Sequence, residues 1–270
     1  MALIGASKVT RELAEDAKRI IEVLEKHKYR VDNTDVDISD IKEPILYTDE
    51  EMNYRSRHDI VPKRIGKDTV LSVNDISVVE AIWNTEANRL GVLNFASAHR
   101  PGGGFVNGEY GQEEELCHCS TLYSQLAHSH MYEDNLGLSS GMNNDTMTVT
   151  DTLFFRDNSW EFKAEPKHAI VVSSTAVNSN AIKDKRDRMC IEYMMKNRMT
   201  LVTRLFIENK CDAIILGAYG CGFFGNDPYV MASIWRGIIR DYGGYFKNIV
   251  FAIPNDKDNN FATFKEVLGE

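Results

Sequence analysis

Two stretches of this sequence carry residue types at spacings that can do chemistry. The first runs Asn94-Phe-Ala-Ser97-Ala-His99-Arg100-Pro101-Gly102-Gly103-Gly104. After seven intervening residues it reaches Gln112-Glu113-Glu114-Glu115. Three consecutive glycines leave backbone N–H groups unobstructed, so such a turn can approach a phosphate or a sugar closely. An acidic run at this point has a plain structural use, since acids in the first turn of a helix offset its dipole. Overhanging a phosphate crevice it has a second use. A carboxylate crowded by other carboxylates and an anionic ligand has a raised pKa, which a general acid at neutral pH requires.

The second stretch is Gly217-Ala-Tyr-Gly220-Cys221-Gly222-Phe223-Phe224-Gly225-Asn-Asp-Pro228. It follows the apolar run 213–218 and precedes a helical pattern, the place where α/β proteins bind ligand phosphates. No Gly-Lys-Ser/Thr follows, so it is not a Walker loop. Gly220, Gly222 and Gly225 keep a GxGxxG spacing, but late in the strand order and without a suitably placed acid, which argues against a dinucleotide site. Each stretch sits at the end of a strand, so the two can meet in one crevice.

The elements that must position them follow from periodicity. Apolar residues at Val9, Leu13, Ala17, Ile20, Ile21 and Leu24 predict a helix over 7–27, with Ser7 or Thr10 as its cap. Residues 28–66, polar and containing Pro44 and Pro62, read as an irregular wrap. Strands are expected at 68–74, 91–96, 150–156, 168–174, 213–218 and 248–253. Helices are expected at 78–90, 112–127, 184–209, 228–241 and 258–268, and a long polar loop at 128–148. The alternation implies a three-layer α/β/α architecture around a mixed, mostly parallel sheet. Residues 1–66 form an N-terminal extension without a core of its own, packed on a main domain spanning 67–270.

Composition excludes several classes. The chain has 270 residues, 43% hydrophobic and 26% charged, enough to bury a core without staples. No apolar run is long enough to span a membrane, and the start turns charged too soon for a signal peptide. A net charge of −9 disfavours general nucleic-acid binding. Five cysteines at irregular spacing read as reduced thiols in a cytoplasmic protein. In a helix Cys117-His118-Cys119 would fan out and could not converge on one ion, so no metal site is expected. Tyr193, Met194, Met195, Met199, Leu201 and Val202 read as the core side of a long helix. Trp83, Trp160 and Trp235 read as packing residues. Phe261 and Phe264 fit either adenine stacking or helix–sheet packing. No heptad or large apolar face appears, so a monomer is expected.

With these residues in place, Pro101-Gly102-Gly103-Gly104 followed by Gln112-Glu113-Glu114 resembles the signature of the poly(ADP-ribose) glycohydrolases. VLNFASAHRPGGGF and GAYGCGFFGNDP resemble the microbial branch of that family. RELAEDAKRI and NIVFAIPND are also similar, so the resemblance covers most of the chain. It implies a macrodomain fold. It also implies poly(ADP-ribose) or ADP-ribosylated proteins as partners, cleavage at the ribose–ribose O-glycosidic bond, ADP-ribose as product, and no cofactor. Glu114 matches the catalytic acid/base, and Glu113 the residue that holds the ribose and orients the leaving group. Gly102, Gly103 and Gly104 match the catalytic loop. Gly220, Cys221, Gly222, Phe223 and Phe224 match the diphosphate loop, with Phe224 packing against the distal ribose. Gln112 belongs to the signature, and Asn94 and Ser97 are candidates for ribose contacts.

The bond's cleavage passes through an oxocarbenium-like state. Protonated Glu114 would donate to the departing ribose oxygen and then deprotonate water, while the substrate's own diphosphate offsets the positive charge. Adjacent glutamates diverging around a helix cannot flank the sugar, so one acid/base is expected rather than two. The alternatives are a non-catalytic ADP-ribose reader, which has no use for Glu114, and a mono-ADP-ribosyl hydrolase, which the 128–150 loop would select by what it admits.

Overall fold

The computed structural model describes residues 2–58, 61–65, 68–136, 138, 141–255 and 258–269, with side chains from residue 9 onward. The domain boundary expected at 66 and 67 lies outside the described residues.

The chain opens with α1 (Ala2–Lys26), which buries Ala17, Ile20 and Leu24 at helical spacing. It begins before Ser7 and Thr10, so both lie inside the helix and neither caps it. The next segment is not an irregular wrap. It holds a hairpin of β1 (Lys28–Val31) and β2 (Thr34–Asp37), turning on Asp32 and Asn33, both left-handed. Asp and Asn tolerate that conformation and favour such two-residue turns. Then come β3 (Ile45–Tyr47) and α2 (Asp49–His58). Thr48 and Glu51 close a capping box at the start of α2: the Thr48 N–H donates to Glu51 Oε2 at 2.8 Å, and the Glu51 N–H to Thr48 Oγ1 at 3.3 Å.

The remaining elements are β4 (Val70–Asn74), α3 (Val78–Asn84), β5 (Leu90–Phe95), α4 (Gln112–Cys119), α5 (Leu122–Leu126), β6 (Met147–Arg156), β7 (Phe162–Ser174), α6 (Lys185–Glu208), β8 (Ala213–Leu216), α7 (Pro228–Tyr242), β9 (Asn248–Ala252) and α8 (Asn260–Leu268). The single helix expected over 112–127 is broken. Ser120 turns extended and bridges to Phe154, and the Thr121 N–H donates to Leu153 O at 3.0 Å. The strand thus captures the chain between α4 and α5.

Seven strands form one sheet in the order β3-β6-β7-β5-β8-β9-β4. The pairs from β7 through to β4 are parallel, while β6 and β3 are antiparallel additions at one edge. The parallel strands are apolar on both faces because helices cover both. In β5, Val92 packs with Ala17, Leu116 and Leu122 from α1, α4 and α5, whereas Leu93 packs with residues of α6, α7 and α8. This is the expected three-layer arrangement. Trp235 and Phe264 are fully buried against Phe251, so Phe264 belongs to helix–sheet packing. Tyr193 departs from its expected core position: it is 76% exposed, while Met195 and Met199 turn inward. Among the described residues, no helix is long and apolar enough to cross a membrane.

Candidate active site

The parallel register sets the site. β5 lies between β7 and β8, so the glycine loops leaving β5 and β8 emerge side by side at the carboxyl ends of neighbouring strands. The end of β7 ties them together. Asn94 Nδ2 donates to Ser173 Oγ at 3.0 Å, and the Tyr219 hydroxyl donates to Ser174 Oγ at 2.9 Å.

The first loop is folded around two carboxylates. Gly102 and Gly103 are left-handed (φ 66° and 63°), a conformation suited to glycine. A methyl group added at Gly103 would overlap Glu114 Oε1 and lie 3.1 Å from Glu113 Oε2. The two acids therefore converge on one glycine, where sequence spacing alone has them diverge. Both reach it from α4, which follows the loop in sequence.

Their environments differ. Glu113 is buried and accepts from three donors: the Ser97 N–H at 2.8 Å, the Tyr132 hydroxyl at 3.0 Å and Asn94 Nδ2 at 3.2 Å. Burial pushes its pKa up to about 7 against the pull of these donors, with the charge of Glu114 adding to the rise. Glu114 is half-buried. Its Oε1 accepts from the Gly104 N–H at 2.7 Å, and its Oε2 has no partner among the described residues. Glu115 turns to the opposite side of α4, towards Ser77 at the start of α3, and is buried there.

The surrounding residues are tied to one another and to the strand ends. Gln112 accepts from the Phe95 N–H at 2.9 Å and donates to Leu93 O at 2.7 Å, fastening the start of α4 to the end of β5. Ser97 Oγ receives the N–H groups of His99 and Arg100, both at 3.4 Å, and Ser97 O accepts from Thr175 Oγ1 at 3.1 Å. Arg100 pairs with Glu109 at 3.2 Å on the surface. Asn94, at the end of β5, is fully buried, and its Oδ1 has no protein partner among the described residues.

The second loop presents donors. Asn226 Nδ2 bridges Val177 O at 2.7 Å and Gly220 O at 2.9 Å, and Asn180 Nδ2 holds Phe223 O at 3.0 Å. No protein acceptor among the described residues takes the N–H of Gly222, Phe223 or Phe224. Consecutive free N–H groups of this kind form an anion receptor. A methyl group at Gly222 would meet nothing within 4 Å, and the Phe223 ring is 88% exposed beside Phe224.

Sequence reasoning passed over two supports. Tyr132 lies in the segment expected as a structureless loop, and no spacing rule points to it. Its neighbourhood is held by buried Arg198, which donates to Asp145 at 2.6 Å, Thr175 O at 2.6 Å and Asn143 O at 3.1 Å. The other is beneath α4. His118 Nδ1 contacts Asp16 of α1 at 2.8 Å, and Arg156 donates to the same carboxylate at 2.9 Å and 3.1 Å. Burial raises the Asp16 pKa, but the hydrogen bonds from His118 and Arg156 outweigh it and hold the carboxyl below its ordinary value. His118 stacks on Trp160 and meets Phe105 edge-on, so the triplet Cys117-His118-Cys119 serves packing. Among the described residues, no group of three or more His, Cys, Asp or Glu side chains is placed to hold a metal ion.

The chain and its fold match known proteins. A family model for the microbial-type PARG catalytic domain matches residues 17–157. The poly(ADP-ribose) glycohydrolase from Thermomonospora curvata superposes with a TM-score of 0.87 at 27% identity, over 95% of this chain and 99% of that one. The same enzyme bound to the inhibitor ADP-HPD gives 0.84 over the same shares, also at 27% identity. The Deinococcus radiodurans enzyme in complex with ADP-ribose gives 0.73 at 26% identity, over 84% of this chain and 94% of that one. A search of curated proteins returns no significant match.

Proposed function

The chain belongs to the microbial-type PARG catalytic-domain family, and from that premise we propose how it acts as a poly(ADP-ribose) glycohydrolase. The observation that carries the reading is the pair of carboxylates meeting at Gly103 beside a loop of free N–H groups. The loop Gly220–Phe224 holds the substrate diphosphate, with Phe224 against the distal ribose. Glu114, whose Oε2 is unspent, protonates the ribose oxygen that leaves and then takes the proton of the attacking water. Glu113 is fixed by three donors and orients the ribose, while the Asn94 acceptor suits a sugar hydroxyl. Ser97, Gln112 and Gly102 to Gly104 hold these groups in place.

Residues 1–66 act as an extension of the catalytic domain 67–270. The partners are poly(ADP-ribose) chains or ADP-ribosylated proteins, and the protein works as a cytoplasmic monomer without cofactor. The test is ADP-ribose release from poly(ADP-ribosyl)ated protein. Glu114→Gln should lose at least about 10²-fold in rate while still binding ADP-ribose. No release by the wild type, with ADP-ribose bound normally, would instead indicate a reader or a hydrolase of mono-linked ADP-ribose.

A further inference from the structure

α6 carries more bases than acids at its amino end. Its dipole favours acids at the amino end and bases at the carboxyl end. Here Lys183, Lys185, Arg186 and Arg188 crowd the amino end, and the last turn holds no basic residue and carries Glu208. Asp184 caps the helix by accepting from the Arg186 N–H at 2.7 Å, and Asp187 is half-buried. The four cations are exposed, and among the described residues none of them makes an ion pair. In a chain of net charge −9 this cluster costs helix stability and returns none through pairing. A polyanion accounts for it.

Its place in the fold says which polyanion. Lys183 lies three residues beyond Asn180, whose backbone N–H and side chain donate to Phe224 O at 3.2 Å and Phe223 O at 3.0 Å in the second glycine loop. At ~3.6 Å per residue at most, the Lys183 and Lys185 backbones lie within about 11 and 18 Å of that clamp. A lysine or arginine side chain adds reach from there. Buried Ile182 packs by Gly141, so the segment that carries the cations is anchored close to the loop in the chain.

We infer that Lys183, Lys185, Arg186 and Arg188 form a subsite for the poly(ADP-ribose) chain beyond the terminal unit, binding its diphosphates by charge. The inference rests on the glycohydrolase reading and deepens it, because only a polymer supplies further diphosphates once one unit fills the crevice.

The test replaces all four by glutamine, with polymer cleavage and free ADP-ribose binding measured at about 50 and about 200 mM salt. For long chains the variant should raise KM about tenfold or more at the lower salt. It should also flatten the dependence of log KM on log salt by up to about 3. Turnover at saturation and the affinity for free ADP-ribose should stay within twofold. Unchanged KM and salt slope on long chains would overturn the subsite while leaving the glycohydrolase intact. Loss of free ADP-ribose binding would instead place these residues in the terminal-unit site. Retention of single-stranded DNA through the same four residues, as tight as that of the polymer, would reassign them to nucleic acid. Absence of polymer cleavage by the wild type would remove the premise itself, an outcome separate from the other three.

Discussion

The two glycine loops leave adjacent strands and look alike in sequence, yet they are built for opposite purposes. In the first, the N–H of Gly103 goes to Arg100 O, that of Phe105 to Gly102 O, and that of Gly104 to Glu114. Its donors are used within the loop and on one carboxylate, and Gly103 is needed because Glu114 occupies the space a side chain would take. In the second, carbonyls are tied down by Asn180 and Asn226 while consecutive N–H groups stay open. In the proposed reading one loop places the reacting carboxylate and the other offers the receptor. Glycine serves as absence of bulk at Gly103 and as access to backbone at Gly222.

The sharpest break of that comparison is Gly103→Ala. The methyl group would force Glu114 aside and adopt a left-handed backbone, so polymer turnover should fall at least about 100-fold, roughly 3 kcal/mol in the barrier. Retained turnover in a steady-state assay would mean that Glu114 is not held where it reacts. Next comes the pH response of the first loop. Between pH 4.5 and about 7 the unfolded Glu113 is ionised while the folded one keeps its proton. The folded state then binds more protons, so stability falls as pH rises, by roughly 3 kcal/mol across the window. Urea midpoints should show this decline in the wild type, and Glu113→Gln should flatten it.

The second loop should respond through affinity. Asn226→Ala removes two buried hydrogen bonds, so about 2 kcal/mol of stability should go and ADP-ribose should bind more weakly. Calorimetric titration reads the affinity, and an unchanged Kd would show that the loop holds its shape without Asn226. The smallest effect belongs to Gly222→Ala. Its methyl group points into open space, so stability should change by less than about 0.5 kcal/mol and turnover by less than threefold. A large loss there would mean that substrate backbone or phosphate packs against that carbon.

Much of this was legible in the sequence because it is local. Strand ends, glycine turns and the acidic start of α4 all lie within short windows, and their alternation gives the layers. Two further local signals went unread in 28–66. Asp32-Asn33 is a hairpin turn, and Thr48-Asp-Glu-Glu51 is a capping box; both were masked by short, polar elements with little periodicity. What no window contains is the meeting of distant residues. Tyr132 meets Glu113 across 19 residues of sequence, and Arg198, far along the chain, ties the nearby Asn143–Asp145 segment to the end of β7. The convergence of Glu113 and Glu114 likewise depends on the path of the glycine loop, which helical geometry alone does not supply. The exposure of Tyr193 reflects a helix with one face to solvent, where the apolar run outlasts the buried stripe.

The pairing of β3 with β6 has a consequence for how the protein can be cut and handled. Ile45–Tyr47 covers Met147–Val149 at the outer margin of the sheet. Trimming the chain to residue 67 would leave those backbone groups bare on a strand rich in Thr and Phe. Such an uncovered margin is a template for pairing with other chains. With β3 in place the margin shrinks to a three-residue edge, so a truncated chain should aggregate more readily than the full one, which light scattering would read.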